Sequence, residues 1–239
     1  MSTGLAVVRM DGASVAHSSY TVAHAGRRKV VIAGGGEMTH HTRMLDARTD
    51  AVNDPSGPRV AFQGAPGAFS ELAIAQHWDG RALAVPSDTF ADAIAKVTTH
   101  ATDFAAIPVE NAIAGPVHAA LSALADASYL VDHDGEVRID IRLCLMAPFG
   151  ATLTDLRTIY SHPMALAQSC LFLAQHPWLS AIPHADTAGA AHDVAQRGDR
   201  TIGAIAGAPA ADRYGLHILA RSIEDIPANW TRFVIVRRR

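Results

Sequence analysis

Near its end the chain crowds together a carboxamide, a hydroxyl and a guanidinium: Asn229, Thr231 and Arg232, within Ile223-Glu224-Asp225-Ile226-Pro227-Ala228-Asn229-Trp230-Thr231-Arg232-Phe233-Val234-Ile235-Val236. Val234, Ile235 and Val236 read as a buried strand, and Pro227 marks the loop before it. Polar groups where a loop meets a rigid strand can serve as a site. They would equally suit a loop end (Thr231) and a solvated edge charge (Arg232). The rest of the chain has to decide.

Other stretches carry chemistry of their own. Gly64-Ala65-Pro66-Gly67-Ala68-Phe69-Ser70 follows a short apolar run and opens a helix over 71–78. Amides freed at such a helix start can hold an anion without a basic side chain, although a plain tight turn would use the same residues. Glu110-Asn111 comes directly after the strand at 104–109, and Gly115 lies just beyond. The pair could recognise a ligand or form a buried structural hydrogen bond. Ser161-His162-Pro163 begins a helix over 164–175, with Ser161 as its cap and Pro163 in its first turn. His162 could move a proton, or satisfy backbone groups.

These groups need a frame, and the texture from Arg59 onward supplies one. Strands are expected at 60–62, 83–86 and 104–109. Helices follow at 71–78, at 87–99 with Ser87 as cap and Phe90, Ile94 and Val97 on its apolar face, and at 118–127. Loops after successive strands converge on one edge of an open α/β sheet, so 64–70, Ser87 and 110–115 could share a crevice. Asp132-His133-Asp134-Gly135 reads as a turn and hinge, with a second αβ unit starting at 137–146. Further strands are expected at 158–160 and 201–205. Asp186-Thr187 caps a helix over 188–197 that Gly198 ends, and a last short helix from about 206 ends at Gly215.

Residues 1–57 differ, with only one strand-like run, Lys29-Val30-Val31-Ile32-Ala33, before Gly34-Gly35-Gly36. No amphipathic helix follows, and Met38-Thr39-His40-His41 breaks a dinucleotide pattern. His40 and His41 are neighbours that would not share a helix face, so a metal site is not expected. The segment reads as a poorly packed extension ending in the linker Asn53-Asp54-Pro55-Ser56-Gly57-Pro58.

Composition narrows the function classes. Of 239 residues 49% are hydrophobic and 18% charged, with a formal net charge of -3, an ordinary globular balance. No basic excess points to nucleic acid, and Arg237-Arg238-Arg239 reads as a solvated tail. No apolar run approaches the roughly 18 residues of a membrane helix. The start has no apolar signal core, and Cys144 and Cys170 lie in apolar segments as reduced core thiols. A cytoplasmic enzyme or binding protein, with no membrane or nucleic-acid partner and no cofactor, is the expectation.

The motifs Gly64-x-x-Gly67-x-Phe69-Ser70, Ile107-Pro108-Val109-Glu110-Asn111 with Gly115 and Val117, Ser161-His162-Pro163-x-Ala165-Leu166-Ala167-Gln168, Thr187-Ala188-x-Ala190-Ala191, Ala204-Ile205-Ala206 with Tyr214-Gly215-Leu216, and Asn229-x-Thr231-Arg232-Phe233 resemble, in order and spacing, the catalytic region of the prephenate dehydratase family. The resemblance covers about residues 59–236. It implies two α/β lobes of the type II periplasmic-binding-protein kind, one of 58–131 plus 223–239 and the other of 132–222, with the substrate between them. It implies loss of carbon dioxide and the ring hydroxyl from prephenate, giving phenylpyruvate for phenylalanine biosynthesis, in a homodimer or higher homo-oligomer. Thr231 would be the proton donor, with Arg232, Glu110 and Asn111 as catalytic partners. Arg232 or helix N-termini would grip the pyruvyl carboxylate. Gly64, Gly67, Ala68, Phe69, Ser70, Gly115, Ser161, His162, Asn229 and Phe233 would line the substrate.

The sequence also departs from the family pattern. Ala68 and Ala112 stand where threonine and serine are common, Leu143 where histidine is common, and Met164 where glutamine is common. These changes leave open an arogenate dehydratase, a prephenate decarboxylase or a non-catalytic two-lobed binding protein; the retained Thr231 speaks against the decarboxylase. The chain stops just after the Thr-Arg-Phe strand, so the family's phenylalanine-binding ACT domain is expected to be missing.

Overall fold

A computed structural model describes residues 56–239, which all fall within one compact unit. The expected strand at 29–33, the glycines after it and most of the linker lie outside the described residues.

The first sheet is built from β1 (Arg59–Gln63), β2 (Leu83–Ser87), β3 (Phe104–Asn111), β5 (Val131–Asp140) and β11 (Trp230–Arg238), in the order β2-β1-β3-β11-β5; the short β4 (Gly115–Pro116) folds back on β3. β1, β2 and β3 are parallel, and β11 runs antiparallel to both its neighbours. Ala61, Ala105, Ile107, Val234 and Val236 are buried on one face, against α2 (Phe90–Thr98) and α3 (His118–Asp126). Phe62, Val137, Ile139, Phe233 and Ile235 are buried on the other, with α1 (Phe69–His77). A strand covered on both faces must be apolar at nearly every position, and Phe233-Val234-Ile235-Val236 meets that demand.

The second sheet has the order β10-β6-β9-β7-β8, from β6 (Cys144–Ala147), β7 (Thr158–Ser161), β8 (Ser180–Pro183), β9 (Ile202–Ala206) and β10 (His217–Arg221). β7, β8 and β9 are parallel; β6 is antiparallel to β9 and to β10. α4 (Pro163–Ala167) and α5 (Cys170–Gln175) lie on one side, and α6 (Thr187–Arg197) and α7 (Ala208–Tyr214) on the other. Two α/β lobes joined by two crossovers are the type II periplasmic-binding-protein arrangement.

Several expectations need correction. The boundary between the lobes lies after β5, because residues 131–140 pair with β11 along their whole length. Asp132–Gly135 is no hinge: Asp134 is the extra residue of a β-bulge, where Ile235 pairs with Gly135 and Val236 with His133. The turn-like composition is absorbed as an irregularity within a strand. The crossover is instead residues 141–143, beside the returning segment 222–229. Thr89, not Ser87, caps α2, accepting from the Asp92 amide, and Ser87 ends β2. The single helix expected at 164–175 breaks at Gln168-Ser169, and its cap is His162. Arg237 and Arg239 are paired with Asp134 and Asp132, so they are not a free tail. Cys170 is exposed, while Cys144 is buried as expected.

Candidate active site

The two crossovers run side by side and are tied to each other. The Ile141 amide donates to the Asn229 carbonyl, and the Ile223 amide to the Leu143 carbonyl. The buried Glu224 carboxylate accepts from the Leu143 amide at 2.8 Å and from Arg142 Nη1 at 3.1 Å. Leu143, where the family commonly has histidine, is thus a core side chain whose main chain anchors the crossover.

At this junction a chain of carboxamides crosses from one lobe to the other. Asn111 Oδ1 accepts from the amides of Ile113 and Ala114 at 3.1 and 2.9 Å, which fixes which end of the side chain is the oxygen. Its Nδ2 therefore faces Thr231 Oγ1 (3.0 Å), the Trp230 carbonyl (3.0 Å) and Asn229 Oδ1 (2.9 Å). Asn229, 1% exposed, passes the polarity on: its Nδ2 donates to Gln168 Oε1 at 3.1 Å. Gln168 Nε2 is then the terminal donor, buried and without a partner, and the neighbouring Ser169 Oγ is likewise unpartnered. Buried donors are seldom left unmet, so a polar guest is the natural completion of the chain. Since Thr231 Oγ1 accepts from Asn111, its own proton points elsewhere. Thr231 is 9% exposed, so its hydroxyl is largely shielded from solvent.

Arg232 and Glu110 are not beside Thr231. Thr231 pairs in register with Asn111 and Arg232 with Glu110, and successive strand residues face opposite ways. The register then shifts, leaving Val109 as the extra residue on β3. Arg232 Nε and Nη2 donate to Glu110 Oε2 at 3.2 and 3.1 Å, and Nη1 to Glu136 Oε1 at 3.1 Å. The bond to Glu110, helped by Glu136, raises the Arg232 pKa further. Arg232 borders a recess of about 360 Å³ under α3, with Val109, Leu121, Leu124 and Val234, on the face opposite Thr231. Phe233, expected against the substrate, is a core side chain at 2% exposure.

The glycine-rich turn stands where the lobes touch. Gly64 and Gly67 have φ of +118° and +87°, and a Cβ on Gly67 would sit 2.9 Å from the Ala210 Cα of the second lobe. The buried Glu71 takes the Gly67 amide at 2.5 Å, and the Tyr214 hydroxyl donates to the Pro66 carbonyl at 2.6 Å. Burial pushes the Tyr214 pKa up and keeps that donor protonated. Phe69 packs so closely on Gly207 that a Cβ there would meet its ring at 3.0 Å. Ala68 caps α1 with a methyl that makes no cap bond, Ser70 is buried in its first turn, and Gly115, at φ +75°, turns the chain from Asn111 into β4. Ser161 is fully buried and donates to the Ile205 carbonyl. His162 is exposed; its Nδ1 accepts from the Met164 amide at 3.2 Å, which leaves Nε2 as the protonated nitrogen. Desolvation lowers its pKa, with Asp186 pulling the other way.

Gln168, Glu71, Glu224 and Tyr214 were not picked out from sequence. Gln168 ends the Ser161–Gln168 motif, but a carboxamide in an expected helix gives no sign that the helix breaks there.

The family model for prephenate dehydratase matches residues 60–239. The chain belongs to that family. Arogenate dehydratase/prephenate dehydratase 2 of Arabidopsis thaliana is 37% identical over 196 residues, covering 80% of this chain and 49% of that one. The bifunctional N-acyl-homoserine lactone acylase/prephenate dehydratase of Komagataeibacter europaeus is 38% identical over 180 residues, covering 75% and 63%. The prephenate dehydratase of Arthrobacter aurescens, solved with L-Phe, superposes with a TM-score of 0.69 at 31% identity, covering 76% and 60%. The chain spans 49%, 42% and 47% of three plant relatives of this family. Among the described residues no cluster of three or more His, Cys, Asp or Glu is arranged to hold a metal ion, and no helix is long and apolar enough to cross a membrane.

Proposed function

We propose that this chain converts prephenate to phenylpyruvate, with the Thr231 hydroxyl as proton donor. The observation that carries the reading is the Asn111–Thr231 bond, which occupies the hydroxyl oxygen as acceptor and leaves its proton to give. In the reaction the bond to the ring carboxylate breaks and its electron pair enters the ring. The C–O bond of the ring hydroxyl breaks at the far side, and that oxygen leaves as water with one added proton. Aromatisation supplies most of the driving force, so a weak acid suffices if it is well placed. As the proton leaves Thr231, negative charge grows on Oγ1, and the Asn111 Nδ2–H already directed at it stabilises that charge. Thr231 is restored from solvent.

The ring carboxylate departs as neutral carbon dioxide, so a cation gripping it would resist the reaction. Arg232, committed to Glu110 and Glu136 on the other face, is not such a cation. The amides at the start of α1 and the terminal donor of Gln168 are the groups we assign to the substrate's remaining polar atoms.

Arogenate is the second substrate to test, because relatives at 38–39% identity carry the name arogenate dehydratase. It differs from prephenate by an ammonium in place of the keto oxygen, away from the bonds that break. We further propose a cytoplasmic homo-oligomer, whose assembly light scattering on the purified chain would check. The deciding experiment incubates the pure protein with prephenate and, in parallel, with arogenate, and quantifies phenylpyruvate and phenylalanine. Turnover of either supports a dehydratase. A product that keeps the ring hydroxyl would mean a decarboxylase, and tight binding without turnover would mean a binding protein.

A further inference from the structure

The α4–α5 break that presents Gln168 is held by a residue outside the catalytic constellation. Asp225 lies in the returning crossover, four residues before Asn229. Its main-chain amide donates to the Gln168 carbonyl at 2.6 Å. Its carboxylate takes the first two amides of α5: Oδ2 accepts from Cys170 at 3.1 Å and Oδ1 from Leu171 at 3.0 Å. Ser169, the formal cap of α5, makes no side-chain cap bond, so Asp225 does that work from a distant part of the chain. A carboxylate suits the place, because unsatisfied amides and the helix dipole both favour negative charge there.

We propose that Asp225 is a positioning residue for the dehydration, acting through Gln168; this rests on the dehydratase reading above. The crossover grips Gln168 at two points. Asp225 fixes its main chain and the helix start after it, and Asn229 fixes its carboxamide oxygen. With both held, Nε2 is left as the free donor at the end of the carboxamide chain. Loss of the Asp225 carboxylate frees the start of α5, so the break is held only by the Asp225 main-chain amide, and Gln168 then meets Asn229 at a looser angle. Glu224, next in sequence, holds Leu143 and Arg142 of the other crossover, so it steadies the loop itself and not Gln168.

The test compares Asp225→Ala, Asp225→Asn, Gln168→Ala and the double variant Asp225→Ala/Gln168→Ala, after phenylpyruvate formation by the parent is measured. A misplacement of an ångström can cost up to about 10²-fold in rate, so Asp225→Ala should lower kcat by roughly tenfold to that limit, with KM within a few-fold. Asp225→Asn keeps an oxygen acceptor and should recover a substantial part. In the Gln168→Ala background, Asp225→Ala should add little further loss of kcat, as expected of residues acting through one another. A kcat within twofold of the parent, or losses that multiply in the double variant, would overturn the proposal.

Cys170 gives a second readout that needs no activity. Its Sγ lies 2.9 Å from Asp225 Oδ2, and that contact, with some burial, pushes the thiol pKa up to about 11. Cys170 is exposed and Cys144 buried, so iodoacetamide at mildly alkaline pH reports on Cys170. Asp225→Asn should alkylate several-fold faster than the parent, and an unchanged rate would show that the contact is not made. If the parent turns over neither prephenate nor arogenate, the dehydratase reading falls and the positioning role with it; the alkylation rates then say separately whether Asp225 grips the helix start.

Discussion

Thr231 and Arg232 are neighbours in sequence and stand back to back in the first sheet. The Thr231 hydroxyl meets Asn111 at 3.0 Å on one face, and the Arg232 guanidinium meets Glu110 at 3.1 Å on the other. A single strand thus carries a candidate proton donor and a structural ion pair at adjacent positions, and substitutions at the two should behave differently.

Thr231→Ala should lower kcat far more than it raises KM, because a proton donor is needed mainly in the transition state. A positioned acid contributes about 10²–10⁴-fold, or roughly 3–5 kcal/mol of barrier. Thr231→Ser keeps the hydroxyl and should retain a large share of activity. Steady-state kinetics on folded variants decide the matter, and a Thr231→Ala enzyme within a few-fold of the parent kcat would remove Thr231 from the mechanism.

Arg232→Ala should leave KM for prephenate within a few-fold of the parent. Its effect should instead be on stability, since Glu110 and Glu136 would then face each other without the cation between them. The three side chains are partly solvated, so the loss should be modest, about 1 kcal/mol, or a few degrees of Tm, and smaller at high salt. A large rise in KM at unchanged Tm would mean that Arg232 swings to the substrate after all.

The limits of the sequence show in these same residues. Asn111 could be picked out because loops after successive strands converge on one edge, and Thr231 because polar groups bunch where a loop meets a strand; only the family resemblance gave Thr231 its role. Which way Arg232 points depends on register, and the bulge at Val109 that sets the pairing of Glu110 with Arg232 has no marker in composition. Asp132–Gly135 looked like a turn because aspartate and glycine favour turns, but nine residues of pairing with β11 outweigh local preference. The break at Gln168-Ser169 was invisible for the opposite reason. Its helix start is satisfied by Asp225, more than fifty residues away, and no local window contains both.

Gly67→Ala should weaken both the fold and the substrate site. The residue has φ +87°, which an L side chain tolerates poorly, and its new Cβ would press on the Ala210 backbone across the lobe contact at 2.9 Å. Strain of this kind costs about 1–3 kcal/mol. Because the clash lies between the lobes, part of it can be relieved by parting them, at the expense of the Tyr214–Pro66 bond. The expected result is a lower Tm together with a raised KM, and Tyr214→Phe should reproduce some of the KM rise with little backbone strain. Parent-like KM and Tm in Gly67→Ala would show that the lobe contact is not a feature of the working protein.

His162 makes a prediction in pH. Its Nδ1 accepts from the Met164 amide, which only the neutral ring can do, and desolvation already holds its pKa below the ordinary 6.5. The unfolded chain therefore binds this proton more readily than the folded one, and the contribution of His162 to stability is present above about pH 6.5 and is lost as pH falls through its lowered folded pKa. His162→Asn keeps an oxygen to accept from Met164 and cannot titrate. Its Tm should fall less than the parent's between neutral pH and about pH 5, a difference of about a degree or two because the ring is exposed and solvent screens it. The other histidines are common to both proteins, so the comparison isolates His162. Parallel Tm-versus-pH curves for the two would mean that the ring does not cap α4.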